Sequence, residues 1–348
     1  MMCHTVSDAS VLLSIIAISH NQRELLKRCI DSILAQSIPF EYEVLISDDA
    51  SSDGSYELAQ EYAERYPLIH AFSCNTDDFD PSNKSFRSGI NRCNALKHAK
   101  GKYVAHIDCD DFLLSYSRIY EKQVELLESY PDCSCCMAND YTLVDGEKLE
   151  SVKLRHLEDF DTGYVLKSAD YIRDCFRESH CFVYRRQYDV DPIEILGGYY
   201  DDNGITAFYL QFGDIVCIKE AGYVYVQYEH SAFHEFLKNN DYKIIGCPAL
   251  FNAGLMPQWK PVYWDSSRHL GKIKGVVTSA IKGEKLTDGT LKWISRFDFY
   301  LVHTFNRRLT FGDKLHLRIL LVLLGIMRRT KRKCPSWTVP WKILDNVI

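Results

Sequence analysis

The sequence lacks the features of an exported or membrane-spanning protein. Its first ten residues have neither the basic start nor the apolar run of an export signal. The most apolar segment, 315–327, is interrupted by Arg318 and is shorter than the ~20 residues needed to span a bilayer. With thirteen cysteines in 348 residues, these absences predict a protein of a reducing compartment, the cytoplasm.

Three further absences remove classes of function. Cys133 and Cys136 have the CxxC spacing, but no second ligand pair stands at a zinc-like distance, so we expect structural cysteines in a buried strand. Segment 19–23, after the first predicted strand, has no glycine. That disfavours a dinucleotide-dependent oxidoreductase or a nucleotidyltransferase with a glycine-rich phosphate loop. The formal net charge of −6 argues against general nucleic-acid binding.

Charge is distributed unevenly along the chain. Residues 303–342 contain ten Lys and Arg and one acidic residue, a net charge of +9, whereas the remainder has 31 basic and 46 acidic residues, a net charge of −15. A basic cluster at 328–333 follows the apolar segment, with Trp337 and Trp341 beyond it. This pattern predicts peripheral contact with anionic lipid; the alternative is a core helix with a solvated basic end.

Apolar strands alternate with amphipathic helices over the first third of the chain. Residues 11–19, 43–47, 68–73 and the run that begins at Tyr103 read as strands, with helical patterns between them. The third of these helices is predicted at 90–99, with Gly101 as its stop. A β-α-β-α-β-α-β order predicts a parallel sheet with right-handed crossovers.

Acidic residues follow two of the predicted strands. Asp48 and Asp49 end the second, and Asp108, Asp110 and Asp111 end the fourth. Because the carboxyl ends of parallel strands share one edge, the two clusters can face one pocket. Asp-x-Asp in an extended chain would point two carboxylates the same way, as a divalent cation holding a phosphate requires. The sequence therefore predicts an acidic ligand site at this edge.

These residues, in this order, resemble family 2 glycosyltransferases of the GT-A fold. The matching segments are Leu13–Asn21, Val44–Asp53, Asn91–Asn94 before Ala99–Tyr103, and Asp108–Asp111. The resemblance implies an α/β domain with a mostly parallel central sheet flanked by helices, here predicted to be residues 1–235. Residues 236–348 would then form a helical, partly basic extension. It also implies inverting transfer of a sugar from a nucleotide-sugar.

The same resemblance implies roles for individual residues. Asp49 would contact the base or ribose of the donor, with Ser19, Asn21 and Asp48 nearby. Asp108 would lie against the ribose, and Asp110 would hold Mn²⁺ or Mg²⁺ on the diphosphate. Arg92 is a further candidate for contact with the nucleotide-sugar. From the residues alone, it could pair with a phosphate or occupy a solvated helix position.

The second half matches more loosely. Segment 200–213 fits the family's acidic pair before a helix that ends in glycine. Asp202 falls on the position of the family's catalytic base, with Asp201 as the competing choice. His230 and His234 are candidate contacts to the diphosphate or metal, and His180 a candidate for the acceptor site. His106 is expected to be an ordinary core histidine.

We therefore expect a metal-dependent inverting glycosyltransferase at the inner face of the membrane, assembling a surface polysaccharide. Its acceptor would be a glycan or lipid-linked glycan, and nucleic acid would not be a partner. The alternatives are a non-catalytic module that binds nucleotide-sugar or glycan, and a nucleotidyltransferase on a similar fold.

Overall fold

The computed structural model describes residues 11–76, 87–144, 147–149, 161–175, 181–227 and 256–259, with Val262 and Phe311. Among these residues, 172–174, 257–259, 262 and 311 belong to a second compact unit, and all the others to a first unit. The predicted domain boundary at 235, the basic segment 328–333, His180, His230 and His234 lie outside the described residues. Those predictions stay predictions.

The first half of the described chain is an alternating α/β structure. Strands β1, β2, β3 and β4 are parallel, as the sequence predicts. They lie in the order β3-β2-β1-β4. The elements, in chain order, are β1 (Leu13–Ser19), α1 (Arg23–Leu34), β2 (Tyr42–Asp49), α2 (Ser55–Arg65), β3 (Ile69–Cys74), α3 (Arg87–Leu96) and β4 (Tyr103–Asp108).

The second half extends the same sheet with strands of both directions. Strand β9 joins β4 and β6 through antiparallel pairing, and β10 runs parallel to β6. The elements are β5 (Phe112–Leu113), α4 (Ile119–Ser129), β6 (Cys133–Val144), β7 (Glu147–Leu149), β8 (Tyr164–Leu166), α5 (Ser168–Asp170), a π-helical turn (Tyr171–Cys175), β9 (Phe182–Arg185), α6 (Pro192–Leu196), a 3-10 turn (Gly197–Tyr199), α7 (Asp202–Tyr209) and β10 (Asp214–Gln227). A second 3-10 turn covers Pro257–Trp259.

The core lies on both faces of this sheet. Strands β1, β2 and β4 are almost entirely buried, which explains their continuous apolar runs. The side chains of Cys133, Cys135 and Cys136 are buried in or at the start of β6, and burial raises their pKa values. The prediction of structural cysteines at this place is confirmed.

The predicted bounds of the third helix were wrong. Helix α3 covers Arg87–Leu96 rather than 90–99, so Gly101 does not stop it. Gly101 instead allows two backbones to approach, because a Cβ there would lie 2.5 Å from the backbone nitrogen of Ser14. Its N–H donates to Ser14 Oγ at 2.8 Å. Strand β10 pairs with β6 along its length, and this pairing shifts register near Ala221.

Within the described part of the chain, no helix is long and apolar enough to cross a membrane.

Candidate active site

The carboxyl ends of β1, β2 and β4 form the acidic edge that the sequence predicts. Ser19 at the end of β1 pairs with Asp48 of β2, and its neighbour Ile18 pairs with Asp108 of β4. Ser19 and Asp48 are buried. The parallel register thus places the ends of three strands beside one another.

Asp48 and Asn21 join the loops that follow the first two strands. Asp48 accepts hydrogen bonds from Ser51, at 2.9 Å from the backbone N–H and 2.6 Å from the hydroxyl. Asn21, at φ 53°, donates its backbone N–H to Ser51 Oγ at 2.8 Å, and its Oδ1 accepts from the Ser52 N–H at 2.8 Å. These bonds fix the shape of the edge, which is the turn-forming role that Asp and Asn often have.

Asp49 is a buried carboxylate held by donors from outside its own strand. It accepts from the Thr76 N–H at 2.8 Å and the Thr76 hydroxyl at 2.7 Å. Arg87 adds Nε at 2.9 Å and Nη2 at 2.8 Å. Burial acts to raise the pKa of Asp49, but the bonds from Thr76 and Arg87 outweigh it, so the pKa lies below its usual value. Asp49 is therefore ionised at neutral pH.

The Asp-x-Asp segment is a turn rather than an extended strand end. Strand β4 ends at Asp108, and the Asp111 N–H donates to the Asp108 carbonyl at 2.9 Å. The prediction that Asp108 and Asp110 point the same way, which assumed an extended chain, was therefore wrong. Asp111 is buried and accepts from the Val226 N–H at 2.9 Å, so it ties β10 to this turn. Arg28 of α1 donates to the Asp110 carbonyl at 2.5 Å.

Arg92 is the cation around which the acidic residues gather. Its side chain is 3% exposed, which excludes a solvated helix position. Its Nη2 donates to Asp108 Oδ1 at 2.5 Å, and its Nη1 donates to Asp201. Asp202 Oδ1 lies 3.9 Å from Nη2. Burial opposes the charge, but Asp108 and Asp202 outweigh it and raise the pKa of Arg92.

Asp201 and Asp202 lie at the start of α7 in different environments. Asp201 is 22% exposed and accepts from Arg92 on Oδ1 and from Ser88 Oγ on Oδ2 at 2.8 Å. Asp202 is 39% exposed and has φ 25°, in the left-handed region that side chains rarely adopt. Of the two carboxylates, Asp202 is the more accessible to a substrate.

His106 lies beneath the acidic edge, in β4. It is buried, and a 3.0 Å hydrogen bond joins its Nε2 to the Tyr200 hydroxyl. Burial, with a smaller effect of the Arg92 charge, lowers the pKa of His106 well below its usual value. This neutral core histidine supports the residue before the acidic pair.

Helix α3 carries site residues that sequence reasoning missed. Asn91 is buried and donates through Nδ2 to the carbonyls of Ser19 at 3.3 Å and Ser47 at 3.1 Å, which joins the ends of β1 and β2. Arg87 was missed because the helix was predicted to begin at residue 90, which places Arg87 before it. In the first turn of α3 a cation opposes the helix dipole, and Asp49 is the partner that stabilises it there.

No group of three or more His, Cys, Asp or Glu that could enclose a metal ion occurs among the described residues. This does not conflict with a cation shared with a substrate. Mg²⁺ bound with phosphates typically takes only one or two carboxylates and completes its shell with water and phosphate oxygens. Asp110, half-buried in the turn after β4, has the hard oxygen donor that such a cation prefers.

A mostly parallel sheet with acidic residues at the carboxyl ends of its strands is compatible with the GT-A fold of glycosyltransferases. The chain belongs to glycosyl transferase family 2, whose model matches residues 14–191. That match includes the acidic edge and α3, and it ends before Asp201 and Asp202.

Two relatives in sequence are a mycobacterial protein and an Escherichia coli protein. An uncharacterized protein of Mycobacterium tuberculosis is 29% identical over 228 residues, 64% of this chain and 60% of that protein. The uncharacterized glycosyltransferase YibD of Escherichia coli is 30% identical over 165 residues, 46% of this chain and 43% of YibD. The chain thus spans about 60% of the length of the mycobacterial relative.

Solved structures show the same fold. S. aureus TarS 1–349 in complex with UDP-GlcNAc aligns with TM-score 0.61 at 16% sequence identity, over 92% of this chain and 93% of that one. The expected GT-A fold is confirmed by the sheet, the family match and this likeness.

Proposed function

We propose that this chain transfers a sugar from a nucleotide-sugar to an acceptor hydroxyl with inversion at the anomeric carbon, and that Asp202 is the general base. The observation that carries the proposal is the position of Arg92. This one side chain contacts Asp108 at the end of β4 and Asp201 at the start of α7. It therefore joins the strand end expected to bind the donor with the helix expected to carry the base.

The donor site is the acidic edge. Asp49, Asp48, Ser19 and Asn21 line the ends of β1 and β2, where open α/β sheets bind their ligands. Arg87, which is paired with Asp49, belongs to the same site. In this proposal Asp108 faces the ribose, in line with the family resemblance.

A divalent cation, Mn²⁺ or Mg²⁺, would be held by Asp110 together with the diphosphate of the donor. When bound, it stabilises the negative charge that develops on the leaving diphosphate. The chain's own contribution is the turn 108–111, whose shape is set by the bond from the Asp111 N–H to the Asp108 carbonyl.

The transfer step needs one carboxylate near the acceptor. As the acceptor oxygen bonds to the anomeric carbon, the bond from that carbon to the diphosphate breaks and its electron pair leaves with the diphosphate. The proton of the acceptor hydroxyl moves to Asp202. A positioned base of this kind contributes ~10²–10⁴-fold to the rate. The transition state resembles an oxocarbenium ion, as in glycoside hydrolysis.

The acceptor we propose is a glycan or lipid-linked glycan in polysaccharide assembly. Two partial relatives support this class: a poly(ribitol-phosphate) beta-glucosyltransferase of Bacillus spizizenii, 30% identical over 102 residues, and a putative teichuronic acid biosynthesis glycosyltransferase of Bacillus subtilis, 33% identical over 100 residues. The basic segment 328–333 would bring the enzyme to an anionic membrane surface on the cytoplasmic side.

A screen of nucleotide-sugars tests the proposal. Thermal shifts are measured for the whole chain with and without Mn²⁺, and hydrolysis of each stabilising donor is followed without acceptor. A donor at 100 times its dissociation constant adds ~2.7 kcal/mol to stability, and we expect slow hydrolysis of that donor.

The variant Asp110→Asn should lose the part of donor binding that depends on Mn²⁺ and keep the rest. If the wild-type chain binds a nucleotide-sugar and leaves it intact with and without acceptors, it is a binding module and the proposed activity is wrong.

A further inference from the structure

Helix α3 holds the turn that precedes the proposed base. Ser88 Oγ donates to Asp201 Oδ2 at 2.8 Å, and Arg92 donates to Asp201 Oδ1. Next to these bonds, a Cβ on Gly89 would lie 2.0 Å from the Gly198 carbonyl oxygen, so the two backbones are in direct contact. The helix and the segment 197–201 are thus fixed to each other by backbone and side chain.

Both oxygens of Asp201 are therefore engaged by α3. The carboxylate accepts one bond from a buried guanidinium and one from a hydroxyl, and charge-assisted bonds of this type are the stronger ones. A base must instead receive the substrate proton. These contacts assign Asp201 to holding the turn rather than to receiving the substrate proton.

The backbone of Asp202 needs such support. At φ 25° it adopts a sparsely populated conformation that persists only where the surroundings impose it. Helix α3 provides this support through its bonds to the preceding residue, Asp201. On the other side, Tyr200 is bonded to the buried His106.

We propose that Arg92 and Ser88 are positioning residues for the proposed base. They hold Asp201, and through it Asp202, at a set place relative to Asp108, which Arg92 also contacts at 2.5 Å. The inference rests on the proposed function. It differs from the earlier expectation that Arg92 contacts the nucleotide-sugar, because its guanidinium is buried among carboxylates of the protein.

The first test uses Ser88, whose half-buried hydroxyl is replaced without leaving a buried charge. Ser88→Ala should lower kcat roughly tenfold, a fraction of what a positioned base contributes, and leave KM and Kd for the donor unchanged. Ser88→Thr keeps the hydroxyl and should restore kcat to within about twofold of wild type. Lys97→Met, an exposed position just past α3, is the matched control and should behave as wild type.

The second test separates the charge of Arg92 from its shape. Arg92→Lys keeps a cation but loses the two-armed guanidinium, so kcat should fall at least tenfold while the acidic limb of the kcat–pH profile stays in place. Arg92→Gln also removes the cation 3.9 Å from Asp202. Because a nearby cation favours an ionised carboxylate, the acidic limb should then move to higher pH.

The outcomes are distinguishable. If Ser88→Ala and Arg92→Lys raise the donor KM and leave kcat unchanged, these residues bind the donor and the inference is overturned. Equal kcat for Ser88→Ala, Ser88→Thr and wild type also overturns it. If the wild-type chain neither binds nor turns over any nucleotide-sugar, the proposed function fails and the inference fails with it. If Ser88→Ala melts like the wild type, its kinetics test the inference even if Arg92→Gln does not fold.

Discussion

At the scale of single residues, the site depends on charges that are neutralised by distant partners. Arg92 is paired with Asp108, 16 positions away, and with Asp201, 109 positions away. Local sequence could not choose between a phosphate contact and a solvated position for Arg92, because neither partner is nearby in the chain. The acidic candidates were predictable, since each follows an apolar strand or precedes a helix. The sequence could not show which of these carboxylates are already bonded within the protein.

The paired state of Asp49 predicts a pH dependence of stability. Bonds to Thr76 and Arg87 hold the folded-state pKa of Asp49 below its unfolded value, which is ~3.9. Its contribution is therefore fully present above about pH 4 and is lost as the pH falls through the lower, folded-state pKa. Asp49→Asn should cost about 2 kcal/mol at pH 7, the scale of a hydrogen bond to a charged group.

Equilibrium urea unfolding of the wild type and Asp49→Asn between pH 7 and pH 3 measures this effect. The stability gap between the two proteins should be constant down to about pH 4 and shrink below it. A gap that widens on acidification would contradict the assignment of Asp49 as an ionised, paired carboxylate.

At the scale of elements, α3 is the part of the fold where the sequence was most misleading. Its apolar spacing suggested 90–99, but the helix begins at Arg87 and ends at Leu96. Because the helix starts earlier, Arg87 contacts Asp49 and Ser88 donates to Asp201. These tertiary contacts override the local helix propensity. The prediction of an extended chain at 108–111 failed for a similar reason, because Asp111 is bonded to β10, which is distant in the sequence.

The close approach of α3 to the segment 197–199 gives a second prediction. Gly89→Ala would gain about 1 kcal/mol of helix propensity, but the new Cβ would lie 2.0 Å from the Gly198 carbonyl oxygen. Because that oxygen belongs to the backbone, α3 or the segment must move, and such overpacking typically costs about 1–3 kcal/mol. We expect a lower melting temperature together with reduced transfer activity.

The control for that variant is Gln60→Ala on α2, an exposed helical position, which should change stability by less than about 0.5 kcal/mol. A Gly89→Ala protein as stable and active as wild type would show that α3 and the segment 197–199 do not need this contact.

At the scale of the whole molecule, the parallel half of the sheet was the most predictable part. Four apolar runs separated by helical patterns gave the strands β1 to β4, and their parallel register puts the acidic ends at one edge. The second half was less predictable. There β9 inserts between β4 and β6, and β10 pairs with β5, β6 and β8, and such long-range pairings leave no periodic signal in a single sequence.

The family match follows the same division, since it covers residues 14–191 and stops before α7. The assignment of Asp202 is therefore a proposal that combines the looser resemblance of segment 200–213 with the 39% exposure of its side chain. Arg92, inside the matched region, is the residue that brings α7 to the acidic edge.

The most direct test of this account is the pair of measurements on Asp202→Asn with a donor found by the screen. Asn keeps the size of Asp and tolerates positive φ, so the fold and the donor dissociation constant should stay at wild-type values. Transfer to the acceptor should fall by ~10²–10⁴-fold, because the proton acceptor is gone. Transfer by Asp202→Asn at the wild-type rate would contradict the account.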